Sequence, residues 1–304
     1  MSAGDFLQMM AQASQERVLA ARARLSENGL LKQAQATAPP PPLIRGTGGF
    51  DLIAESKLRS PAVGQLRAAD SEDPAKRALA YAEAGAAAVS VLTEPSRFDG
   101  SLAHLSAASG ALRPRRVPAM RKDFLVDPYQ VVEARAHGAG GVLIILRMLS
   151  RPQLDELCSA AKACGLFALL EAFDEADIEL AHDIIDAQTN QDPGPYRLGP
   201  SRSANSRSRP GMTPVQWLVG VNSRDLSTLK VVPGRLETLA PWLPGGVPRV
   251  AESGVATAAD AENLVRHGYD MALVGSALMQ AKEPLELARA LLRVGRAAAV
   301  RRCG

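Results

Sequence analysis

The 304-residue chain predicts an α/β fold, a (β/α)8 TIM barrel with an N-terminal helical extension. Three observations carry this reading. From Phe50 onward, eight short apolar runs alternate with longer stretches of helical period. Several of those stretches open on Asp or Thr, carry Pro in the first turn and close on Gly, as helix ends prefer. The first run does not lead into the G-x-G-x-x-G turn that a doubly wound sheet, the competing architecture, would place there.

Taken in order, the apolar positions Phe6, Met9, Met10, Ala13, Val18, Ala21 and Leu25 recur at helical intervals and predict an amphipathic helix over about 4–25. The Pro- and Gly-rich stretch "QATAPPPPLIRGTGG" cannot propagate it, so residues 1–49 read as helical extension plus connector and 50–304 as barrel. The strand candidates are "FDLIAE", "AAAVSVLT", "VPAMRK", "GVLIIL", "LFALLE", "WLVGVN", "VPRVAES" and "DMALVG". Helix candidates between and after them cover 73–85, 127–138, 151–165, about 174–187, 257–268 and 283–298. One segment breaks the rhythm: "TNQDPGPYRLGPSRSANSRSRPGMTP" far exceeds the usual connection between helix and strand, and predicts a flexible insertion at about 188–214. Its four arginines suit an anion or nucleic acid, but Tyr196 alone is there to stack a base, so a solvated loop without a part in the chemistry is the reading adopted.

Bulk properties exclude several classes. A net charge of +3 over this length gives no basis for a nucleic-acid or membrane partner. Cys158, Cys164 and Cys303 show no C-x-x-C spacing, so neither a disulfide framework nor a zinc site is indicated, and a reducing cytoplasm, or an equivalent reducing compartment, fits best. No run reaches the length of a membrane span, and the N-terminus lacks the pattern of a secretion signal. His104, His137, His182 and His267 lie at isolated helical positions without the spacing of a metal pair; no metal is expected.

In such a barrel the chemistry gathers where strands exit at their C-terminal ends. Those exits carry Glu55 and Lys57, Ser90, Lys122 with Asp123 and Phe124, Glu171, Asn222 with Arg224, Glu252 with Ser253, and Gly275 with Ser276. Three Glu and two Lys at one mouth can satisfy each other by pairing. Alternation places Glu55, Lys57 and Arg59 on one side of the first strand, but Arg59 falls beyond its expected end and reads as solvent-facing or loop-fixing. The small residues of "AESGV" and "VGSALM", with a short helix starting at Ser276, make an anion cradle after strands seven and eight, so the substrate is expected to carry a phosphate.

The segments "IAESKLRSPAVG", "SVLTEPSRFDGS", "MRKDFLVDPYQ", "LLEAFDE", "GVNSRDL", "AESGV" and "VGSALM", in that order, closely resemble the signature segments of indole-3-glycerol phosphate synthase. The resemblance runs from about residue 5 to 296 and touches every strand. It implies a carbon-carbon lyase of tryptophan biosynthesis that closes the ring of 1-(2-carboxyphenylamino)-1-deoxyribulose 5-phosphate with loss of carbon dioxide and water. It also implies an N-terminal helix lying across the barrel mouth, and neither metal nor organic cofactor. By position, Lys122 matches the general acid of condensation, Glu171 the general base of dehydration, and Lys57 a lysine that contacts substrate anions and delivers a proton to the departing hydroxyl. Glu55, Glu252 and Asn222 match orienting polar groups. Ser60, Arg224, Ser253, Gly254, Gly275 and Ser276 match the phosphate and substrate-anion end, and Phe98 and Phe124 the wall around the anthranilate ring.

Two other readings stand beside this one. A non-catalytic sugar-phosphate-binding paralogue would be expected to replace a strand-end acid or base with an apolar residue, and none is replaced. The same chemistry in a specialised indole pathway fits the residues equally. A phosphoribosylanthranilate isomerase would need a Cys at a strand end, which this chain lacks. Partner expectations are a small phosphorylated molecule, no nucleic acid, no membrane, and either a monomer or association with other tryptophan-pathway enzymes.

Overall fold

In the computed structural model, which describes residues 3–67, 72–189 and 216–303, the eight predicted strands all form. They are β1 (Asp51–Ser56), β2 (Ala88–Leu92), β3 (Ala119–Lys122), β4 (Gly141–Ile145), β5 (Phe167–Ala172), β6 (Trp217–Asn222), β7 (Arg249–Glu252) and β8 (Met271–Val274). Each pairs in parallel with its neighbours in chain order, and β8 returns to β1 to close the barrel, with Asp51 opposite Met271. Every residue of β1, β2, β4, β5 and β8 is buried, which is why these strands read as continuous apolar runs rather than as alternating ones.

Alternation still sorts the side chains. One set, including Ile53, Met120, Leu143, Phe167, Leu218 and Met271, fills the barrel lumen as a single cluster. The other set points outward and packs beneath the helices. These are α1 (Ala3–Arg24), α2 (Glu27–Ala36), α3 (Pro74–Glu83), α4 (Pro95–Phe98), α5 (Leu102–Leu112), α6 (Pro128–Ala136), α7 (Arg151–Ala163), α8 (Glu175–Thr189), α9 (Arg235–Leu239), α10 (Ala258–Arg266), α11 (Ser276–Gln280) and α12 (Pro284–Cys303). The predicted caps act as such. Asp73 accepts from the Ala75 and Lys76 amides, Asp127 from Tyr129, and Thr257 forms a capping box with Asp260.

Helix α2 is absent from the sequence reading. Gly29 in its first turn weakens the signal, and what holds the helix is tertiary: Ser26 caps it, and Leu30 and Ala34 are buried where it packs on α6. A second difference concerns the insertion expected from 188. Helix α8 continues through Thr189, and the Gln188 side chain is buried, donating to Ser159 Oγ at 3.2 Å and to the Asp155 carbonyl at 3.3 Å. The remainder of that expectation, from 190 on, lies outside the described residues.

The N-terminal segment touches both ends of the barrel. Helix α1 lies across the strand exits: Phe6 meets Phe124 edge to face, Ser14 accepts from buried Gln130, Arg17 reaches Asp123 at 2.7 Å, and Arg22 reaches Asp127 at 2.9 Å. The connector then runs to the opposite end, where Arg45 pairs with Asp51 and Asp270 beside the starts of β1 and β8. From there Leu43, fully buried, joins the lumen cluster. No helix among the described residues is long and apolar enough to cross a membrane. His137 and His267 sit at the C-cap positions of α6 and α10, and no metal-holding group of His, Cys, Asp or Glu occurs among the described residues. Cys158 and Cys164 are buried, which pushes both thiols up to about 12.

Candidate active site

A cavity opens at the strand exits beneath α1, with roughly 1020 Å³ of empty space counted out to open solvent. All fourteen residues that the resemblance assigns to the site line it: Glu55, Lys57, Ser60, Phe98, Lys122, Phe124, Glu171, Asn222, Arg224, Glu252, Ser253, Gly254, Gly275 and Ser276. Phe6 and Leu7 from α1, Leu143 and Ile145 from β4, and Phe173 after β5 complete the apolar wall and were not among them. The signal for the β4 pair was present: in "GVLIIL" they share the lumen face, but the absence of a polar exit residue drew no attention to that strand.

Strand geometry aims the charged groups inward and together. Lys122, the last residue of β3, brings Nζ to 3.4 Å from Glu171 Oε1 on β5 and to 3.3 Å from Glu252 Oε2 on β7. Asn222 at the end of β6 donates from Nδ2 to the same Glu171 oxygen at 2.8 Å, while its Oδ1 accepts from the Arg224 amide at 2.9 Å. Glu171 is thereby held from two sides. Across the mouth, Lys57 Nζ lies 2.6 Å from Glu55 Oε1. Arg59 is separate from this group: half exposed, it sits 3.7 Å from Asp99 and in the short hairpin that pairs Arg59–Ser60 with Gly64–Gln65.

Burial and charge compete at each of these groups. Burial alone would raise the Glu55 pKa, yet Lys57, Lys122 and Arg224 outweigh it and hold the carboxyl below its usual value. For Lys122, burial disfavours the ammonium, but Glu171, Glu252 and Glu55 together overcome it, and the pKa stays above normal. Glu252 goes the other way. Burial, followed by the neighbouring Glu171 charge, pushes it up to about 8, against which Lys122 only partly compensates. Beside a second carboxyl group and only one ammonium, Glu252 thus favours its protonated form.

The turns after β7 and β8 line the same pocket. Ser253 and Gly254 both adopt the left-handed conformation, with φ of 67° and 75°, directly after β7. Helix α11 begins at Ser276, whose buried Oγ has no partner. Asp123 has a different part: its carboxylate accepts from Arg17, Thr93, Arg121 and the Phe124 amide, so it secures the segment after Lys122. Ser90, buried at mid-barrel, does not reach the cavity lining. The arrangement offers a cationic acid flanked by two carboxyl groups, small-residue turns able to take an anion, and an apolar wall, all within one pocket beneath α1.

Comparison with known proteins gives a family by sequence and a likeness of fold by structure. The family model described as "Indole-3-glycerol phosphate synthase" matches residues 7–189 and 215–291, leaving out most of the expected insertion. The protein named indole-3-glycerol phosphate synthase in Parafrankia sp. (strain EAN1pec) is 39% identical over 280 residues, covering 91% of each chain. Its namesake in Mycolicibacterium smegmatis is 35% identical over 297 residues, covering 97% of this chain and 96% of the other. Among solved structures, 3-hexulose-6-phosphate synthase from Salmonella typhimurium superposes with a TM-score of 0.55 at 12% identity, covering 82% of this chain and all of the other. Orotidine 5'-phosphate decarboxylase from Pyrococcus horikoshii gives 0.53 at 16% identity, covering 80% of this chain and 99% of that one, a likeness of fold alone. With a family model spanning most of the chain and relatives above one-third identity over nearly its whole length, the chain belongs to the indole-3-glycerol phosphate synthase family.

Proposed function

We propose that the chain converts 1-(2-carboxyphenylamino)-1-deoxyribulose 5-phosphate to indole-3-glycerol phosphate, carbon dioxide and water, as a step of tryptophan biosynthesis. The observation that carries this reading is the Lys122 ammonium held between Glu171 and Glu252 in the pocket that also contains the Ser253–Gly254 and Gly275–Ser276 cradle. The substrate phosphate docks on that cradle with Arg224 and Ser60, and its anthranilate ring lies against Phe98 and Phe124.

In condensation, the ring carbon bearing the carboxylate bonds to the ribulose carbonyl carbon while Lys122 protonates the oxygen as it becomes an alkoxide. Carbon dioxide then leaves, and its bonding pair restores the aromatic ring. In dehydration, Lys57 delivers a proton to the departing hydroxyl and Glu171 takes the proton whose loss completes the indole. Asn222 fixes Glu171 for that task, and Glu55 positions Lys57. The overall change needs no oxidant or reductant, and proton transfers suffice, so the chain works without a cofactor. A cytoplasmic setting fits two thiols held protonated by burial and the soluble substrate.

Indole fluorescence tests the reading directly. Wild-type protein mixed with the carboxyphenylamino-deoxyribulose phosphate is expected to develop it, and Lys122→Ala protein to lose at least about 100-fold of the rate. Silence from folded wild-type protein that binds the substrate would overturn the assignment in favour of a non-catalytic binder.

A further inference from the structure

Glu252 reaches Lys122 by lying down into the barrel, and something must make room for it. The room comes from the adjacent strand. A Cβ built on Gly220, in the middle of β6, would stand 2.2 Å from Glu252 Oε1 and 3.2 Å from its Cδ. The first distance is far inside van der Waals contact, and Glu252 is buried, so a side chain at 220 and the carboxyl cannot both keep these places and the carboxyl must swing away from Lys122 to admit one. Gly220 itself has no need of glycine's backbone freedom: it lies in regular parallel pairing opposite Glu171 and Val250, and is not among the positive-φ residues.

The same device recurs two strands on. A Cβ on Gly275, just after β8, would meet Glu55 Oε1 at 2.2 Å and Lys57 Nζ at 3.0 Å. In each case a strand gives up its inward side chain so that a carboxylate from the next strand around the barrel can occupy the space and hold a lysine. We infer that Gly220 is a positioning residue: its missing side chain is the berth that sets Glu252 against Lys122. As a matter of catalysis, this rests on the reaction proposed above.

The test is a double-mutant cycle, Gly220→Ala with Glu252→Ala, read in single-turnover indole formation, in KM and in melting temperature. In the otherwise wild-type protein, Gly220→Ala is expected to lower kcat about 100-fold, the scale of a displacement near 1 Å. KM should move less than about threefold, because the phosphate cradle and aromatic wall are untouched. In the Glu252→Ala background the same substitution should cost less than about twofold, since the atom it strikes is gone. Melting temperature should repeat the pattern: a drop in the first background, none in the second.

Equal losses in both backgrounds would overturn the inference and place the effect on Leu169, whose Cδ1 lies 3.0 Å from the same built atom. Should Gly220→Ala fail to fold, recovery of folding in the double variant supports the berth, and its failure overturns it. Inactive wild type would sink the reaction while the melting cycle still decides whether the berth exists.

Discussion

Glu252 is 1% exposed, gives one oxygen to Lys122 and leaves the other unpartnered, so its charge is poorly supported. Its folded pKa of about 8 stands above the ordinary 4.5, which means that the folded chain keeps a proton the unfolded chain releases. The sign follows: the stabilisation is complete below pH 4.5 and is lost as pH rises through about 8. Glu252→Gln, which cannot ionise, is therefore expected to flatten the decline of wild-type stability across that window, as read by denaturant midpoints at stepped pH. A parallel decline in both proteins would refute it. The identity of the charged residues at the mouth was legible from strand exits alone, because a strand's end fixes where its side chain emerges. Which carboxyl retains the proton was not. That depends on distances among residues 122, 171 and 252, set by three strands at once.

Among the elements, α1 shows how an amphipathic pattern announces a helix without announcing its partner. Met10 and Val18 are buried as the apolar periodicity requires, while Leu19, off the stripe, is 60% exposed. The polar contacts that orient the helix come from Ser14, Arg17 and Arg22, which the periodicity reads only as its solvent face. Arg17 meets Asp123, one residue beyond Lys122, and approaches Glu94 at 3.7 Å. Arg17→Ala is expected to remove about 1.5–3 kcal/mol of stability, the usual worth of a hydrogen bond to a charged group, because Asp123 keeps Arg121 and Thr93. Greater proteolytic sensitivity of α1, with the barrel intact, would accompany it. A loss shared equally by the whole barrel in hydrogen exchange would show that the contact serves the core instead. Helix α2 makes the converse point: its sequence is weak, its packing on α6 decides it, and a reading of local pattern passes over it.

For the whole molecule, the mouth is covered by Phe6 and Leu7 and the far end of the lumen is filled by Leu43, so one N-terminal segment closes both openings. Leu43 is fully buried at the end of a Pro-rich run that the sequence presents only as a connector. Leu43→Ala is expected to cost about 2–5 kcal/mol, the range for truncating a buried leucine. A melting temperature unchanged from wild type would show that the barrel floor relaxes to refill the space. The alternation of strands and helices revealed the barrel because its strands are buried on both faces, whereas the path of the connector from α2 to β1 left no periodic trace.

That route has a consequence in time. As the chain emerges from its N-terminus, α1 must wait for Asp123 and Gln130, more than a hundred positions later, and β1 for its partner at Met271. At about 5–20 residues per second, roughly ten to forty seconds separate the synthesis of Asp51 from that of Met271. Throughout that interval the edge of β1 that will face Met271 stands without its final partner, and for the first part of it so does the apolar stripe of α1; protecting them falls to the charges beside them or to the cell's chaperones.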